Sequence, residues 1–485
     1  MIQHVERRAV TGEPGRDAMA AHMEQMRLGH MSRLWVHFGT IALGCWLLSS
    51  PATLGYLEPG NFGPEVARIT AERNLAPPEI RAAWMMWSDL LSGALLVMLG
   101  TLSLSWRWRY AQWGTCLVGI WLLFAPLLFW APDAASYAND TLIGALAIAF
   151  AILIPMMPGM STEGMMQRGY IPPGWDYSPS TWSQRLPIIA LAFIGFFLAR
   201  YMTAYQLGHI STVWDPFFGD GTHRIITSDV SRAWPVADAG LGAVTYMIEA
   251  LSGMMGDRRR WRTMPWMVGM FGLLVIPLGG VSIFFIIIQP IVIGTWCTLC
   301  LVSAAAMVIM LPYSFDEILA MLQFILRARR DGKSLWSVFW RGGAMPNALD
   351  QNEPVIQLGS NKRTQLARAG GALPKALTLS VAIGVWLMFT RVLFGTEGAM
   401  ANSDHLIGAL VIVVSISCYS EVVRPVRAVN MLFGVWLIVA PWVLNGANEA
   451  ATIGSMVAGA LLIVLAIPRG PVRNHYDGWD RYNIW

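Results

Sequence analysis

Charge is what this chain has least of: Asp, Glu, Lys and Arg make up 13% of its 485 residues, against 55% hydrophobic. The apolar residues fall in repeated runs of roughly 16–25 residues between polar or basic segments, which is the length and composition of bilayer-crossing helices. The formal net charge is only +4 and the basic residues lie between the runs. They read as loop charge, and no nucleic-acid module is visible. Gly219-Asp220-Gly221 does not precede a strand–helix unit, so no nucleotide loop is expected. Cysteine numbers five in all. No second Cys or His pair stands at tetrahedral-site spacing, which argues against zinc. Met1 to His30 holds no apolar h-region, so the first span is the expected insertion signal.

The expectation is an all-α, polytopic integral membrane protein of about twelve transmembrane helices. The spans lie near 33–50, 88–104, 111–130, 139–155, 187–206, 238–255, 264–288, 293–312, 375–393, 404–420, 428–444 and 452–468. Alternate loops carry the cations, among them Arg107 and Arg109, Arg258 to Arg260 and Arg262, Arg327 to Lys333, and Arg424 and Arg427. By the positive-inside rule both termini are then cytoplasmic, and Cys297 and Cys300 fall at the outer face. In a bacterial cell that is the periplasmic face of the inner membrane, where disulfide exchange is permitted.

The flanks of the chain repeat. Gly44-Cys45-Trp46-Leu47-Leu48 returns as Gly119-Ile120-Trp121-Leu122-Leu123, Gly384-Val385-Trp386-Leu387-Met388 and Gly434-Val435-Trp436-Leu437-Ile438. Each is followed by a second phrase: Ser88-Asp89 to Gly93-Ala94-Leu95, Asn139-Asp140 to Gly144-Ala145-Leu146, Ser403-Asp404 to Gly408-Ala409-Leu410, and Ser455 to Gly459-Ala460-Leu461. Gly93 to Gly408 and Trp121 to Trp436 are both 315 residues apart. The unit is a two-helix hairpin, with Trp near the interface, Asp or Ser as a cap for the second helix, and Gly-Ala-Leu as a small packing face.

Between the flanks stands Gly294-Thr295-Trp296-Cys297-Thr298-Leu299-Cys300. Cysteines three apart at the start of a membrane helix face one way, and can close to a disulfide and reopen. Helix-terminal N–H groups favour a thiolate at Cys297, but the spacing does not settle which thiol meets which partner. Cys116 and Cys418 read as structural, and Cys45 as a buried small residue. His209 and His223 are loop histidines able to serve a ligand, although solvated loop histidines are commoner. Asp215, Asp220 and Asp229 are loop acids, and Asp238 stands where it would cap the next helix. Glu249, inside a span, requires a partner or a wet cavity.

Two resemblances organise these features. The hairpins resemble the SPW-repeat family of membrane proteins; Ala440-Pro441-Trp442 carries the element, whereas Ser50-Pro51 and Ala125-Pro126 lack the following Trp. Four central spans with a long first outer loop and Cys297 and Cys300 opening the fourth resemble the vitamin K epoxide reductase family. The loop phrase Ser228-Asp229-Val230-Ser231-Arg232-Ala233-Trp234-Pro235, leading into a small-residue helix ending on Tyr246, is similar too. This resemblance implies a four-helix bundle around a quinone, with Cys297 and Cys300 as the redox centre and Ser228 near the quinone. Family members commonly carry two further loop cysteines. Leu207 to Ala237 has none, and Thr222 stands near where the second would fall.

The expected organisation is a cytoplasmic tail (1–32), an SPW-like region (33–160), the redox bundle (187–325), a cytoplasmic linker (326–374), a second SPW-like region (375–470) and a cytoplasmic tail (471–485). Within it, Ser314 to Arg330 reads as a separate interfacial amphipathic helix and Asn347 to Asn361 as irregular. The expected activity is thiol–disulfide exchange coupled to a membrane quinone, served at the outer face by a thioredoxin-like protein or small thiol. The rival is a non-enzymatic scaffold or transporter subunit; a third reading is metal handling by the cysteines and outer histidines.

Overall fold

Each of the twelve apolar runs forms a helix in the computed structural model, which describes residues 16–154, 160–349 and 374–484. We number them α1 (Leu34–Thr53), α2 (Pro78–Ser103), α3 (Gln112–Leu128), α4 (Ala134–Ile152), α5 (Trp182–Gln206), α6 (Asp238–Met254), α7 (Pro265–Ile288), α8 (Thr298–Arg330), α9 (Lys375–Met388), α10 (Gly398–Ser417), α11 (Val429–Val443) and α12 (Glu449–Ala466). Among the described residues, eight helical segments, including α2, α4, α5, α7, α8, α10 and α12, are long and apolar enough to cross a membrane; α3 and α9 are shorter apolar helices. Isolated bridges at Ile171–Leu349 and Trp175–Tyr476 are the β pairing among the described residues. Helices satisfy their own backbone hydrogen bonds, which hydrocarbon cannot do for them.

The two flanking regions share one packing scheme. In the first, α1 lies on α2 and α3 on α4, with α2–α3 and α1–α4 closing a four-helix group; α9 to α12 repeat it, pair for pair. Glycine sets every hairpin crossing. A Cβ placed on Gly44 would lie 2.7 Å from Gly93 O, on Gly119 2.7 Å from Gly144 O, on Gly384 2.8 Å from Gly408 O, and on Gly434 2.5 Å from Gly459 O. The reverse clash exists in all four pairs. Backbones therefore touch where no side chain intervenes, as small residues allow inside a membrane.

The repeated Trp joins hairpins instead of marking an interface alone. Trp46 Nε1 donates to Asn139 Oδ1 at 2.9 Å and Trp121 Nε1 to Ser88 Oγ at 2.9 Å, each reaching the other hairpin. Trp436 Nε1 repeats this with Ser403 Oγ at 2.8 Å, while Trp386 meets Gly454, which offers no acceptor side chain.

Three expectations need correction. Asp89, Asp140 and Asp404 are not caps: their helices begin well before them, and all three are fully buried inside. Asp89 accepts from Tyr56 OH at 2.7 Å, and Asp404 from Thr390 Oγ1 at 3.0 Å. Capping falls to Asp133 and Asn448, which accept from Ser136 N at 2.7 Å and Ala451 N at 2.8 Å. Ser314 to Arg330 is no separate helix either, because α8 runs unbroken through Pro312 for 33 residues. Its apolar pattern is continuous with the span, so one long helix buries it more fully than two. Finally, 326–374 is not all linker: α8 occupies its start, Leu335–Arg341 is helical and Leu349 pairs with Ile171, while 350–373 lies outside the described residues.

Helices α5 to α8 form the central bundle, with α6 and α8 against α5 and α7 against α8. Its arginine-rich end is knitted by side chains that sequence alone reads as loop charge. Arg185 donates to the carbonyls of Gly253, Met255 and Gly256 at 2.7–3.1 Å, closing the end of α6. Arg260, 1% exposed, pairs with buried Glu317 through contacts of 2.6 and 2.5 Å. Helix C-termini leave carbonyls without partners, and guanidinium groups supply them. The C-terminal segment packs onto this end, with Tyr476 fully buried and Asp477 paired to Arg327 at 2.5 Å.

The glycine crossings set a test. Gly434→Ala is expected to lower unfolding stability in detergent by about 1–3 kcal/mol, whereas Gly280→Ala, where an added Cβ meets nothing within 4 Å, leaves it unchanged. Equal thermal shifts for the two variants would contradict the crossing.

Candidate functional site

The chain approaches the cysteines through a local device. After α7 a π-helical turn, Gln289–Ile293, ends on Gly294 with φ of 78°, a left-handed conformation that glycine adopts without steric cost. The turn returns Gln289 to the next helix start, where its Oε1 accepts from Cys297 N at 3.0 Å. Cys297 is then the N-cap of α8 in extended conformation, and its sulfur accepts from Cys300 N at 3.0 Å. Cys297 and Cys300 are joined as a disulfide, with Cα atoms 5.3 Å apart.

The two sulfurs have different surroundings. Cys297 is fully buried, and Thr222 Oγ1, which donates to the Asp215 carboxylate, lies 3.4 Å from its sulfur. Cys300 is half-buried, its sulfur 3.8 Å from Met202 Sδ. Met202, Tyr205, Ile226 and Leu299 form the apolar cluster around them. Thr222, set against Cys297, is where the sequence comparison leaves a loop cysteine missing.

Asp215 holds the loop over this pair, and sequence reading placed it only among the loop acids. Its carboxylate accepts from Phe217 N (3.1 Å), Phe218 N (2.9 Å), Thr222 N (2.9 Å), Thr222 Oγ1 (2.7 Å), Thr298 N (3.2 Å) and Thr298 Oγ1 (2.5 Å). The loop and the first residue of α8 are thus fastened to one side chain. Asp-Pro initiates turns, so Asp215-Pro216 carried a local signal, but nothing local points from it to Thr298. Burial acts to raise the Asp215 pKa, yet the hydrogen bonds from Thr298, Thr222 and Phe218 outweigh it and hold the carboxyl well below its usual range.

The remaining candidates are dispersed. Ser228 caps the short helix Asp229–Arg232, accepting from Ser231 N at 3.4 Å and donating to Ile225 O at 2.7 Å. Asp238 binds Ser231 Oγ at 2.8 Å and its neighbour's Ala239 N at 3.0 Å, so it ties the loop to the start of α6. His223 Nδ1 meets Tyr205 OH at 2.7 Å, and His209 Nε2 meets Ala131 O at 2.9 Å, beside α4. Glu249 is fully buried, and among the described residues neither carboxylate oxygen is hydrogen-bonded. Cys45 is exposed on α1 rather than buried; Cys116 and Cys418 are also free thiols.

Both flanking regions reach this end. From the first, Trp130 Nε1 donates to Pro235 O at 3.1 Å and Arg73 Nη1 to Arg232 O at 3.0 Å. From the second, His405 spans Met388 O and Ile286 O, each at 3.1 Å, and Arg391 Nη1 donates to Pro290 O at 2.7 Å. Trp296, next to Cys297, packs on Phe389 and His405.

A four-helix bundle whose last helix opens on a cysteine pair under the first loop is the decisive arrangement, and residues 186–315 match the model of the vitamin K epoxide reductase family. The chain carries a vitamin K epoxide reductase family domain. Residues 376–468 match the SPW repeat domain. The first flanking region lies outside that match, and its likeness to the second rests on the shared phrases and crossings. No curated protein and no solved structure matches. The vitamin K epoxide reductase family domain thus sits between two four-helix groups that both grip its cysteine-bearing end.

The Asp215 fastening predicts accessibility. In reduced protein, Asp215→Asn is expected to raise alkylation of Cys297 by a bulky maleimide several-fold at neutral pH while Cys300 changes little, read by peptide mass spectrometry. Because the folded carboxyl titrates below its usual value, its stabilisation of the loop is complete above about pH 4 and is lost as pH falls further. The Asn variant should lack that acid transition.

Proposed function

We propose that the protein is a membrane thiol–disulfide oxidoreductase in which Cys297 and Cys300 pass electrons between an outer-face thiol partner and a membrane quinone. The observation that carries this reading is the bonded cysteine pair at the head of α8, with one sulfur buried under the loop and the other half-exposed. The family domain supports it, and the quinone and partner are chemistry that the family suggests. The setting proposed is a bacterial inner membrane, with both termini cytoplasmic and the pair periplasmic.

The electron balance is simple. In the reduced pair, two thiols lose two electrons and two protons as the S–S bond forms, and the quinone takes both to become a quinol. For re-reduction, a partner thiolate attacks Cys300 Sγ, the half-exposed sulfur, and forms a mixed disulfide. Cys297 then leaves as thiolate, facing the Cys300 N–H, a donor that stabilises negative sulfur. A second partner thiol attacks the mixed disulfide, releases Cys300 and completes the partner's own disulfide. Ser228 is proposed beside the quinone. With no loop cysteine from Leu207 to Ala237, the partner, a thioredoxin-like protein or small thiol, meets the pair directly.

That missing relay is also what favours the rival, a scaffold or transporter subunit that keeps the bundle without the chemistry. Alkylation at graded redox potential separates the two: a scaffold's pair stays bonded under strong reductant or never bonds.

Cys297→Ser and Cys300→Ser are each expected to abolish thiol-dependent quinone reduction in detergent, to below about 1% of the parent rate. Unchanged turnover would refute the proposal. Cys297→Ser, retaining Cys300, should trap the partner as a mixed disulfide more readily than Cys300→Ser, since the retained sulfur is the accessible one.

A further inference from the structure

Proline leaves one carbonyl at the cysteine-bearing end without its helical donor. Pro290 has no N–H, so the Ile286 carbonyl, four residues earlier in the last turn of α7, must be served from elsewhere. A second carbonyl is stranded where α9 stops at Met388, because Val392 N, the donor due to it, turns to Phe389 O at 3.0 Å. Both carbonyls converge on one side chain. His405, on α10 and 3% exposed, meets Met388 O through Nδ1 and Ile286 O through Nε2, each at 3.1 Å.

A neutral imidazole cannot serve both. It carries one N–H, and its other nitrogen presents a lone pair that repels a carbonyl oxygen, whereas the imidazolium donates from both nitrogens. The neutral ring therefore leaves one of the two carbonyls unserved in a buried site, and one added proton serves both. Arg391 is the charged group that faces the ring, its guanidinium held by Asn402 Oδ1 at 2.6 Å and Pro290 O at 2.7 Å. Asp404, beside His405 on α10, accepts from Thr390 Oγ1 at 3.0 Å and Ser455 Oγ at 3.3 Å. From α7 and the head of α8 the ring meets Ile286 and Trp296, neither of which titrates. The repeat ties the histidine to this contact: three residues before the crossing glycine the other hairpins carry Leu90, Thr141 and Met456. A titratable group stands there only on α10, which lies against α7 and α8.

What His405 holds is the approach to the cysteines. Ile286 precedes the π-helical turn whose Gln289 accepts from Gly294 N through its carbonyl at 2.9 Å and from Cys297 N through Oε1 at 3.0 Å, and Trp296 packs on the His405 ring. We propose that His405 is a proton-sensitive clamp between the second four-helix group and the cysteine-bearing end. Protonated, it ties α9 and α10 to the end of α7 and tightens the turn that carries Cys297; deprotonated, it gives up one of its two bonds and the turn loosens. His405 is thus a positioning residue that acts through Gln289 and Trp296. The clamp stands apart from the choice of electron acceptor.

The test follows amide hydrogen exchange of the Gly294 and Cys297 N–H groups in the full-length protein in detergent, with rates corrected for the intrinsic effect of pH. From about pH 8 to about pH 5, the range in which histidine takes up its proton, both amides of the parent are expected to gain protection several-fold. His405→Gln, neutral throughout, should show the weaker protection at both ends of the range. Parent protection that does not rise in acid overturns the proposal. So does a His405→Gln protein that keeps the rise, which would assign it to Asp404 or another group. Should His405→Gln fail to fold, His405→Lys, cationic throughout, is expected to show the acid level of protection at both ends, and a rise retained by that variant overturns the proposal equally.

Discussion

Polar groups that cannot reach water must be satisfied from within the chain, and this requirement shapes the protein from one end of its helices to the other. Along the spans, backbone groups pair inside each helix. At the arginine-rich end, Arg185 and Arg260 supply donors to the carbonyls that close α6. At the cysteine end, the Asp215 carboxylate collects donors from the loop and from Thr298, so the loop cannot lift without leaving an anion and several N–H groups unpaired. Loop order and cysteine burial thus follow from one satisfaction problem.

The flanking groups answer the same requirement. Their helices cross on glycine, which leaves no side chain to fill the gap and brings backbones into contact. Trp indoles that would otherwise be unpaired reach across to the neighbouring hairpin. Both groups then spend polar contacts on the central bundle, through Trp130 and Arg73 on one side and His405 and Arg391 on the other. They buttress the loop and the π-helical turn that bring Cys297 under Thr222. The cysteine-bearing end of the bundle is thus held from two sides.

The asymmetry of the two sulfurs is the feature with chemical consequence. Cys297 is enclosed and accepts from the Cys300 N–H, whereas Cys300 is half-buried. Thr222 Oγ1 lies 3.4 Å from the Cys297 sulfur.

Periodicity and composition determined the helices, because a bilayer admits few alternatives and each apolar run is long enough to reveal itself. Repeated Gly and Trp phrases determined the hairpins, and the spacing of Cys297 and Cys300 determined their union, since a helix start places residues three apart on one side. The tertiary structure alone decided that Asp89, Asp140 and Asp404 are buried partners rather than caps, that Pro312 does not end α8, and that Arg260 is an internal ion pair rather than loop charge. It alone joined Asp215 to Thr298, 83 residues further on, and so separated a closed sulfur from an open one. Local sequence fixes whether a segment can satisfy its own backbone; which distant side chain satisfies a buried charge is settled only when the helices meet.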